Sequence, residues 1–151
     1  MDEEDPERSS TGRLSHFGET ILGWFHHPPD SAVYHASIAE PVPGAITERI
    51  AAEARTLALA VSFGMTEKAA DGLYNAQVLV SSDGTIAAVH RKINLRSAAF
   101  RAAEPQVTFA EIEGLCVAMR ICVASASGEH CGHAARISCW LAWLTTQPTL
   151  D

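Results

Sequence analysis

Apolar residues recur at helical spacing in the stretch AITERIAAEARTLA, residues 45–58. Their shared face is formed by Ile46, Ile50, Ala54 and Leu57. Charged residues cover much of the remaining circumference, as in a helix that packs one side against a core. The apolar run LALAVSFG, residues 57–64, follows at once and is typical of a strand buried on both faces. The pattern therefore predicts an amphipathic helix that leads directly into a central strand.

The next two apolar stretches predict a β-hairpin. Residues 73–82 (LYNAQVLVSS) and 85–95 (TIAAVHRKINL) are rich in aliphatic and β-branched side chains. Asp83 and Gly84 stand between them. An Asp-Gly step between two such runs is a strong hairpin signal, because tight hairpin turns need the positive φ that glycine adopts easily. We therefore predict two antiparallel strands here.

A second hairpin is predicted further along the chain. Residues 107–112 (VTFAEI) and 115–122 (LCVAMRIC) flank a Glu-Gly step. In the second run, every other residue has a larger aliphatic side chain. Because successive side chains of a strand point to opposite faces, these aliphatic side chains would all lie on one face. Arg120 and Cys122 are therefore expected to share the face opposite the aliphatic one.

The order of these elements predicts a layered α/β or α+β fold that contains several antiparallel strand pairs. Between residue 13 and the helix, prolines break the chain into predicted loops. These prolines are Pro28, Pro29, Pro41 and Pro43. Residues 1–13 are acidic and polar, and we predict a disordered tail because such a composition cannot bury enough apolar surface to fold.

Composition narrows the possible functions. The chain has 151 residues, 47% hydrophobic and 19% charged, with a net charge of −7, so a nucleic-acid-binding surface is not expected. No apolar run is long enough to span a bilayer, and the first residues do not form a secretory signal. Four cysteines without such a signal favour free thiols and a cytoplasmic location.

Three residues have side chains suited to covalent catalysis: Glu19 in FGET, Lys92 in HRKINL and Cys122 in RICVA. A thiolate attacks an electrophilic carbon, a carboxylate can take the thiol proton, and an ammonium group can stabilise the charge that develops. Each residue alone also has an ordinary explanation. A glutamate in a loop and a lysine after a strand are usually solvated, and a cysteine in an apolar strand is usually part of the core.

The order of short motifs adds a family resemblance. A Tyr-Asn step, an Asp-Gly hairpin and an Arg-Lys step follow one another, after an apolar strand that is expected to end at Gly64. In this order the motifs resemble the nitrilase, or carbon–nitrogen hydrolase, superfamily. The motif residues, from first to last, are Glu19, Gly64, Glu67, Tyr74, Asn75, Asp83, Gly84, Arg91, Lys92, Ile121 and Cys122.

The resemblance implies an α-β-β-α sandwich and a Glu–Lys–Cys triad. Glu19 would be the base, Lys92 would stabilise the tetrahedral species, and Cys122 would be the nucleophile that forms a thioester. The implied substrates are small-molecule nitriles, amides or N-carbamoyl compounds, with no metal or organic cofactor. Family members commonly form homo-oligomers, and the oligomeric state of this chain stays open.

Compared with the family pattern, the chain is expected to form a sandwich that is incomplete at both ends. We predict a partial hydrolase domain over residues 14–127 and a divergent segment over 128–151, with weak or absent activity. Two alternatives stay open. One is a non-catalytic remnant or interaction module of the same fold. The other is a metal site near the end of the chain, with Cys122, His130, Cys131, His133 and Cys139 as candidate ligands.

Overall fold

The computed structural model describes residues 14–23, 30–112 and 115–121. The candidate nucleophile Cys122, the predicted tail and the predicted divergent segment lie outside these residues. In chain order the elements are β1 (Leu14–His16), α1 (Ser31–Ile38), α2 (Ala45–Leu57), β2 (Ala60–Ala69), β3 (Gly72–Val80), β4 (Ile86–Arg91), β5 (Thr108–Ile112) and β6 (Leu115–Met119).

Two sheets and a helix build successive layers. The main sheet has the strand order β1-β2-β3-β4, in which β1 runs parallel to β2 and the other pairs are antiparallel. Strands β5 and β6 form a separate antiparallel pair. Helix α2 packs on one face of the main sheet and the β5–β6 pair packs on the other. The layered α/β prediction is therefore confirmed, as part of a sandwich.

Side-chain alternation along the strands supplies a core to each face of the main sheet. The core under α2 consists of Ala54, Phe63, Met65, Val78 and Val80. The core between the two sheets consists of Ala60, Leu79, Ile112, Val117 and Met119. Because both faces of β2 and β3 are covered, these strands read as nearly continuous apolar runs in the sequence.

The predicted helix over residues 45–58 is confirmed as α2, with defined ends. At its start, Glu40 Oε2 accepts a hydrogen bond from the backbone N–H of Ile46 at 2.9 Å, so a carboxylate lies at the positive end of the helix. At its end, Ala58 adopts a left-handed conformation with φ of 47°. That turn releases the chain into β2 within two residues.

The predicted strand over residues 57–64 is displaced in the structure. Leu57 still belongs to α2, and β2 begins at Ala60 and continues past Gly64 to Ala69. The expectation that the strand ends at Gly64 is therefore wrong. The physical reason is that β2 pairs with β3 along its whole length, from Val61 opposite Val80 to Ala69 opposite Gly72.

Prolines do not reduce the region before α2 to loops, which corrects a second expectation. Helix α1 spans eight residues, Ser31–Ile38, in the stretch between Pro29 and Pro41, where no proline interrupts its hydrogen bonds. Strand β1 has weak strand propensity but pairs in parallel with β2, with Leu14 opposite Ala60. Tertiary pairing thus overrides local preference. In the described part of the chain, no helix is long and apolar enough to cross a membrane.

Both predicted hairpins are present. Strands β3 and β4 flank the Asp-Gly turn, where Gly84 has φ of 84°. Strands β5 and β6 pair with Glu111 opposite Cys116. In β6, Val117 and Met119 are buried in the core between the sheets and Cys116 is exposed, whereas Ala118, on the face of Cys116, is also buried.

One buried histidine links the two sheets. His90 on β4 is 2% exposed, and its Nδ1 lies 3.0 Å from Oγ1 of Thr108 on β5. Its Nε2 is buried and has no hydrogen-bond partner among the described residues. Burial and, to a smaller degree, the charge of Arg120 lower the pKa of His90 to about 4. The neutral imidazole is therefore the form that the folded protein accommodates.

Acid is expected to destabilise the protein through His90. The folded-state pKa lies below the ordinary value of 6.5, so this contribution to stability is present above pH 6.5 and is lost as the pH falls toward 4. Between pH 7 and pH 5 the loss is about 2 kcal/mol. Urea denaturation at both pH values tests this, and His90→Gln should remove most of the difference. An unchanged difference in His90→Gln would refute the assignment.

Candidate active site

Glu19 lies in the short loop that follows β1 at the edge of the main sheet. Two backbone hydrogen bonds tie this loop to β2: the N–H of Phe17 donates to the carbonyl of Ser62 at 2.7 Å, and the N–H of Leu22 donates to that of Gly64 at 3.2 Å. Thr20 next to Glu19 is 1% exposed and has a positive φ of 50°. The carboxylate is therefore presented by a loop that the sheet holds on both sides.

Gly64 explains how the loop can lie so close to the sheet. A Cβ atom at this position would lie 2.4 Å from the backbone N of Thr20 and 2.6 Å from the carbonyl oxygen of Gly18. Real side chains do not make such contacts, and both neighbours are backbone atoms that cannot rotate away. The glycine of the motif is thus required for the close approach of the loop that carries Glu19.

The Glu19 carboxylate meets two side chains from neighbouring strands. Lys92 directly follows β4, and its Nζ donates to Oε1 of Glu19 at 2.5 Å. Asn75 on β3 donates from Nδ2 to the same oxygen at 2.6 Å. The backbone N–H of Lys92 also donates to the carbonyl of Asn75 at 2.8 Å. The structure therefore brings together two of the three residues proposed from the sequence, and adds Asn75.

Burial makes this ion pair different from a surface salt bridge. The side chain of Lys92 is 3% exposed and that of Glu19 is 15% exposed. An ammonium group in such a place needs its anionic partner, because the cost of leaving a buried charge unpaired is several kcal/mol. Both contacts use Oε1 of Glu19, so Oε2 is not part of either of them.

Two further polar atoms at the site are buried. Oγ1 of Thr20 and Oδ1 of Asn75 have no hydrogen-bond partner within the described residues. Buried polar atoms in folded proteins are nearly always paired, so unpaired ones beside a charged group mark a place where a polar partner can be accepted.

A buried histidine, not singled out from the sequence, lies beside the site. His35 of α1 is 1% exposed, and its Nδ1 lies 3.0 Å from Oγ1 of Thr66. Thr66 pairs with Asn75 across β2 and β3, and the two side chains share a face of the sheet. The His35 ring packs against Phe100 with ring centroids 4.5 Å apart. The only sequence signal was a histidine between prolines, in a stretch expected to be loop.

A second charged cluster lies on the opposite face of the same strands. Arg91 donates from Nε and Nη2 to the two carboxylate oxygens of Glu67, at 2.7 and 2.6 Å. Its guanidinium carbon lies 4.2 Å from the centroid of the Tyr74 ring. The hydrogen bonds from Arg91 to Glu67 raise the pKa of the guanidinium further above its ordinary value. The sequence placed these three residues in motifs without giving them a role.

The predicted nucleophile lies just beyond the last described residue. Ile121 is 2% exposed, and Cys122 follows it. All five candidate ligands of the alternative metal site lie outside the described residues. Within the part of the chain that the structure describes, no group of three or more His, Cys, Asp or Glu side chains is arranged to hold a metal ion.

Comparison with protein families gives one match. Residues 13–132 match the carbon–nitrogen hydrolase family model. This match covers most of the chain and includes every residue of the candidate site. The chain belongs to the carbon–nitrogen hydrolase family. The predicted resemblance is thereby confirmed.

Three solved structures share the fold of the described layers. A carbon–nitrogen hydrolase superfamily protein from Xanthomonas campestris aligns with a TM-score of 0.64 and 18% identity, over 79% of this chain and 44% of that protein. A mutant of the Nesterenkonia AN1 amidase aligns with a TM-score of 0.54 and 16% identity, over 75% and 44%. An N-terminal amidase aligns with a TM-score of 0.54 and 16% identity, over 64% and 23%.

This hydrolase-family chain is short beside its structural neighbours. It spans less than half the length of each of these three proteins. No match to the chain was found among curated protein sequences. At these identities the structural neighbours establish the fold of the described layers.

Gly64→Ala is expected to destabilise the protein and to displace the loop that carries Glu19. Relieving two backbone clashes costs about 1–3 kcal/mol in a packed site. Gly23→Ala is the matched control, since its added Cβ would meet the flexible end of Ile38 at Cδ1, which can rotate away. Urea denaturation of both variants measures the difference. Equal stability of the two variants would contradict the close-approach requirement.

Removal of the Glu19 charge alone should lower the free energy of unfolding by more than removal of both charges of the ion pair. Glu19→Gln leaves the Lys92 ammonium buried without its anion, and about 3 kcal/mol of stability should be lost. Adding Lys92→Met to Glu19→Gln should restore part of this loss. The four free energies of unfolding form a double-mutant cycle. Strictly additive effects would show that the two charges do not interact.

Proposed function

We propose that the chain hydrolyses a carbon–nitrogen bond in a small nitrile, amide or N-carbamoyl compound, with Cys122 as nucleophile. The observation that carries the proposal is the buried contact between Glu19 and Lys92, which Asn75 completes. These side chains come from separate elements, so their meeting is a product of the fold. Membership of the carbon–nitrogen hydrolase family supports the same reaction class.

The first half of the proposed reaction forms a thioester. Glu19 takes the proton from the Cys122 thiol, and the thiolate adds to the carbon of the C–N bond. Negative charge develops on the substrate oxygen or nitrogen, and the Lys92 ammonium stabilises it by a charge-assisted hydrogen bond. For an amide, the tetrahedral species collapses when nitrogen leaves with the proton that Glu19 returns. For a nitrile, a water molecule must first add to the thioimidate.

The second half releases the acid. Glu19 takes a proton from a water molecule, which attacks the thioester carbonyl while Lys92 again stabilises the oxyanion. The tetrahedral species expels the thiolate, which recovers the proton from Glu19. One water is consumed for each amide, and two for each nitrile. The Oε2 atom of Glu19, which takes no part in the Lys92 and Asn75 contacts, is suited to this proton transfer.

The ionic environment supports a pre-organised site. Lys92 is almost fully buried, and Glu19 receives two hydrogen bonds on one oxygen. An ammonium group that Glu19 already holds in place needs little reorganisation when charge develops nearby, and such preorganisation is usually a large part of enzymatic rate enhancement. Amidases among the structural neighbours make an amide the first substrate class to test.

A second candidate function is that of a non-catalytic module with the same fold. It is favoured by the contacts of Glu19 with Lys92 and Asn75, which tie the loop after β1 to the rest of the main sheet and would stabilise the fold without any chemistry. The two candidates differ in turnover, and one assay separates them.

Ammonia release from simple amides, nitriles and N-carbamoyl amino acids tests the proposal. The purified protein should release ammonia at a measurable rate, and Cys122→Ala, Glu19→Gln and Lys92→Met should each reduce the rate at least about a hundredfold, as removal of a catalytic group generally does. Cys116→Ser is the matched control, because Cys116 is an exposed cysteine of β6. Its rate should equal that of the unaltered protein.

Two results would refute catalysis by this triad. One is the absence of ammonia release from every substrate class by a folded preparation, which would favour the non-catalytic module. The other is turnover that survives in Cys122→Ala, which would place the chemistry elsewhere.

A further inference from the structure

Side chains from three neighbouring strands form two rows across the main sheet, one row on each face. The first, here called the site row, consists of Thr66, Asn75 and Lys92, which lie side by side on the face that meets Glu19. Glu67 and Tyr74 are the next pair along β2 and β3, and point to the opposite face. Arg91 precedes Lys92 and also points to that face. In both the Tyr-Asn step and the Arg-Lys step, the first residue therefore lies on one face of the sheet and the second residue on the other.

The second row ties together strands that are not neighbours. Glu67 is on β2 and Arg91 is on β4, and β3 lies between them in the sheet. Adjacent strands are about 4.8 Å apart, so the two side chains meet above β3. Both carboxylate oxygens of Glu67 are engaged, and the side chain is only 7% exposed. The guanidinium lies over the ring of Tyr74, which belongs to β3.

Such a link restrains the rotation and sliding of β2 and β4 relative to each other, as well as their separation. A bidentate guanidinium–carboxylate pair fixes both distance and orientation, because its two hydrogen bonds are parallel. Stacking on an aromatic face adds a third point of contact. The hydroxyl at the tip of the Tyr74 side chain donates to Asp71 Oδ2 at 2.7 Å, and this hydrogen bond fixes the position of the ring.

We infer that Glu67, Arg91 and Tyr74 form a clamp that positions Lys92 and Asn75 on Glu19 from behind the sheet. The three are positioning residues: none of them touches the Glu19 carboxylate, and each is one residue away from a member of the site row. The inference rests on the proposed function for the role of Lys92. It assigns a role to three motif residues that the reaction itself does not use.

The lysine content of the chain offers a direct test that needs no turnover. Its only lysines are Lys68, which is exposed on β2, and Lys92, which is 3% exposed. Acetylation by N-hydroxysuccinimide acetate under native conditions, measured by mass spectrometry, reports how often Lys92 leaves Glu19. Lys68 serves as an internal reference for reagent concentration and pH.

Removal of either half of the clamp should release Lys92. In Glu67→Gln and Arg91→Gln, the acetylation of Lys92 relative to Lys68 should rise at least about tenfold, the change expected when one charge-assisted hydrogen bond no longer holds a group in place. Tyr74→Phe keeps the ring under the guanidinium and should retain most of the protection. Glu19→Gln, which removes the partner itself, gives the upper limit of labelling.

The double variant Glu67→Gln with Arg91→Gln separates positioning from stability. It no longer contains an unpaired charge, so its stability should partly recover relative to the single variants. Without the bidentate link, however, Lys92 should stay as reactive as in the single variants. Val78→Ala is a stability control in the same sheet, because it removes fully buried volume without touching either row. It should be destabilised and still protect Lys92.

The inference is overturned if Lys92 stays protected in Glu67→Gln and Arg91→Gln while Glu19→Gln exposes it. It is also overturned if labelling follows stability, so that Val78→Ala releases Lys92 or the double variant protects it again. If the clamp variants release Lys92 but the unaltered protein releases no ammonia, the clamp stands and the proposed function fails. If turnover occurs and the clamp variants behave like the unaltered protein, only the clamp fails.

Discussion

A lysine ammonium group that is almost fully buried strongly destabilises a folded protein unless an anion lies beside it, and here that anion is Glu19. The contact joins the loop after β1 to the end of β4, two places 73 positions apart in the chain. Much of the main sheet is arranged to make it possible. Gly64 lets the loop approach β2, and Asn75 supplies a second donor from β3. The requirement to pair one charge thus constrains four separate elements.

The two ends of the main sheet differ: one end packs into apolar cores, and the other carries the charged and polar groups of the candidate site. Toward the end where β2 begins at Ala60, the two faces bury the apolar cores under α2 and under the β5–β6 pair. Toward the end where Lys92 lies, both faces become polar, with Asn75 on one and Glu67 on the other. Polar groups at this end are stabilised by one another. The apolar part supplies the rigid platform, and the polar end uses it to place charges at short range.

Much of the fold could be predicted because it follows local rules. Helix α2 has a clear apolar stripe, and both Asp-Gly and Glu-Gly hairpins contain residues that turns require. The errors arose where long-range pairing decides the structure. Strand β1 has only three residues and exists because β2 offers it a parallel partner. The continuation of β2 beyond Gly64 likewise depends on pairing with β3, which residues 57–64 alone do not reveal.

The candidate site was predictable in part, and for a different reason. Glu19 and Lys92 were selected by motif order, and the structure brings them into contact. Asn75 and Glu67 were recognised only as motif members, because their roles depend on which strands lie side by side. His35 gave almost no signal, since a histidine between prolines does not indicate burial. Sequence patterns identify residue types, whereas register across three strands determines which of them meet.

Acylation of cysteine by an activated ester tests the central claim most directly, which is that the Glu19 and Lys92 pair serves Cys122. The protein is treated briefly with p-nitrophenyl acetate at neutral pH, and the acetyl group is mapped by mass spectrometry, with Cys116 as reference. The account predicts at least about tenfold faster acylation of Cys122 than of Cys116, and loss of this preference in Glu19→Gln and Lys92→Met. Equal acylation of the two cysteines, or a preference that both variants retain, would contradict it.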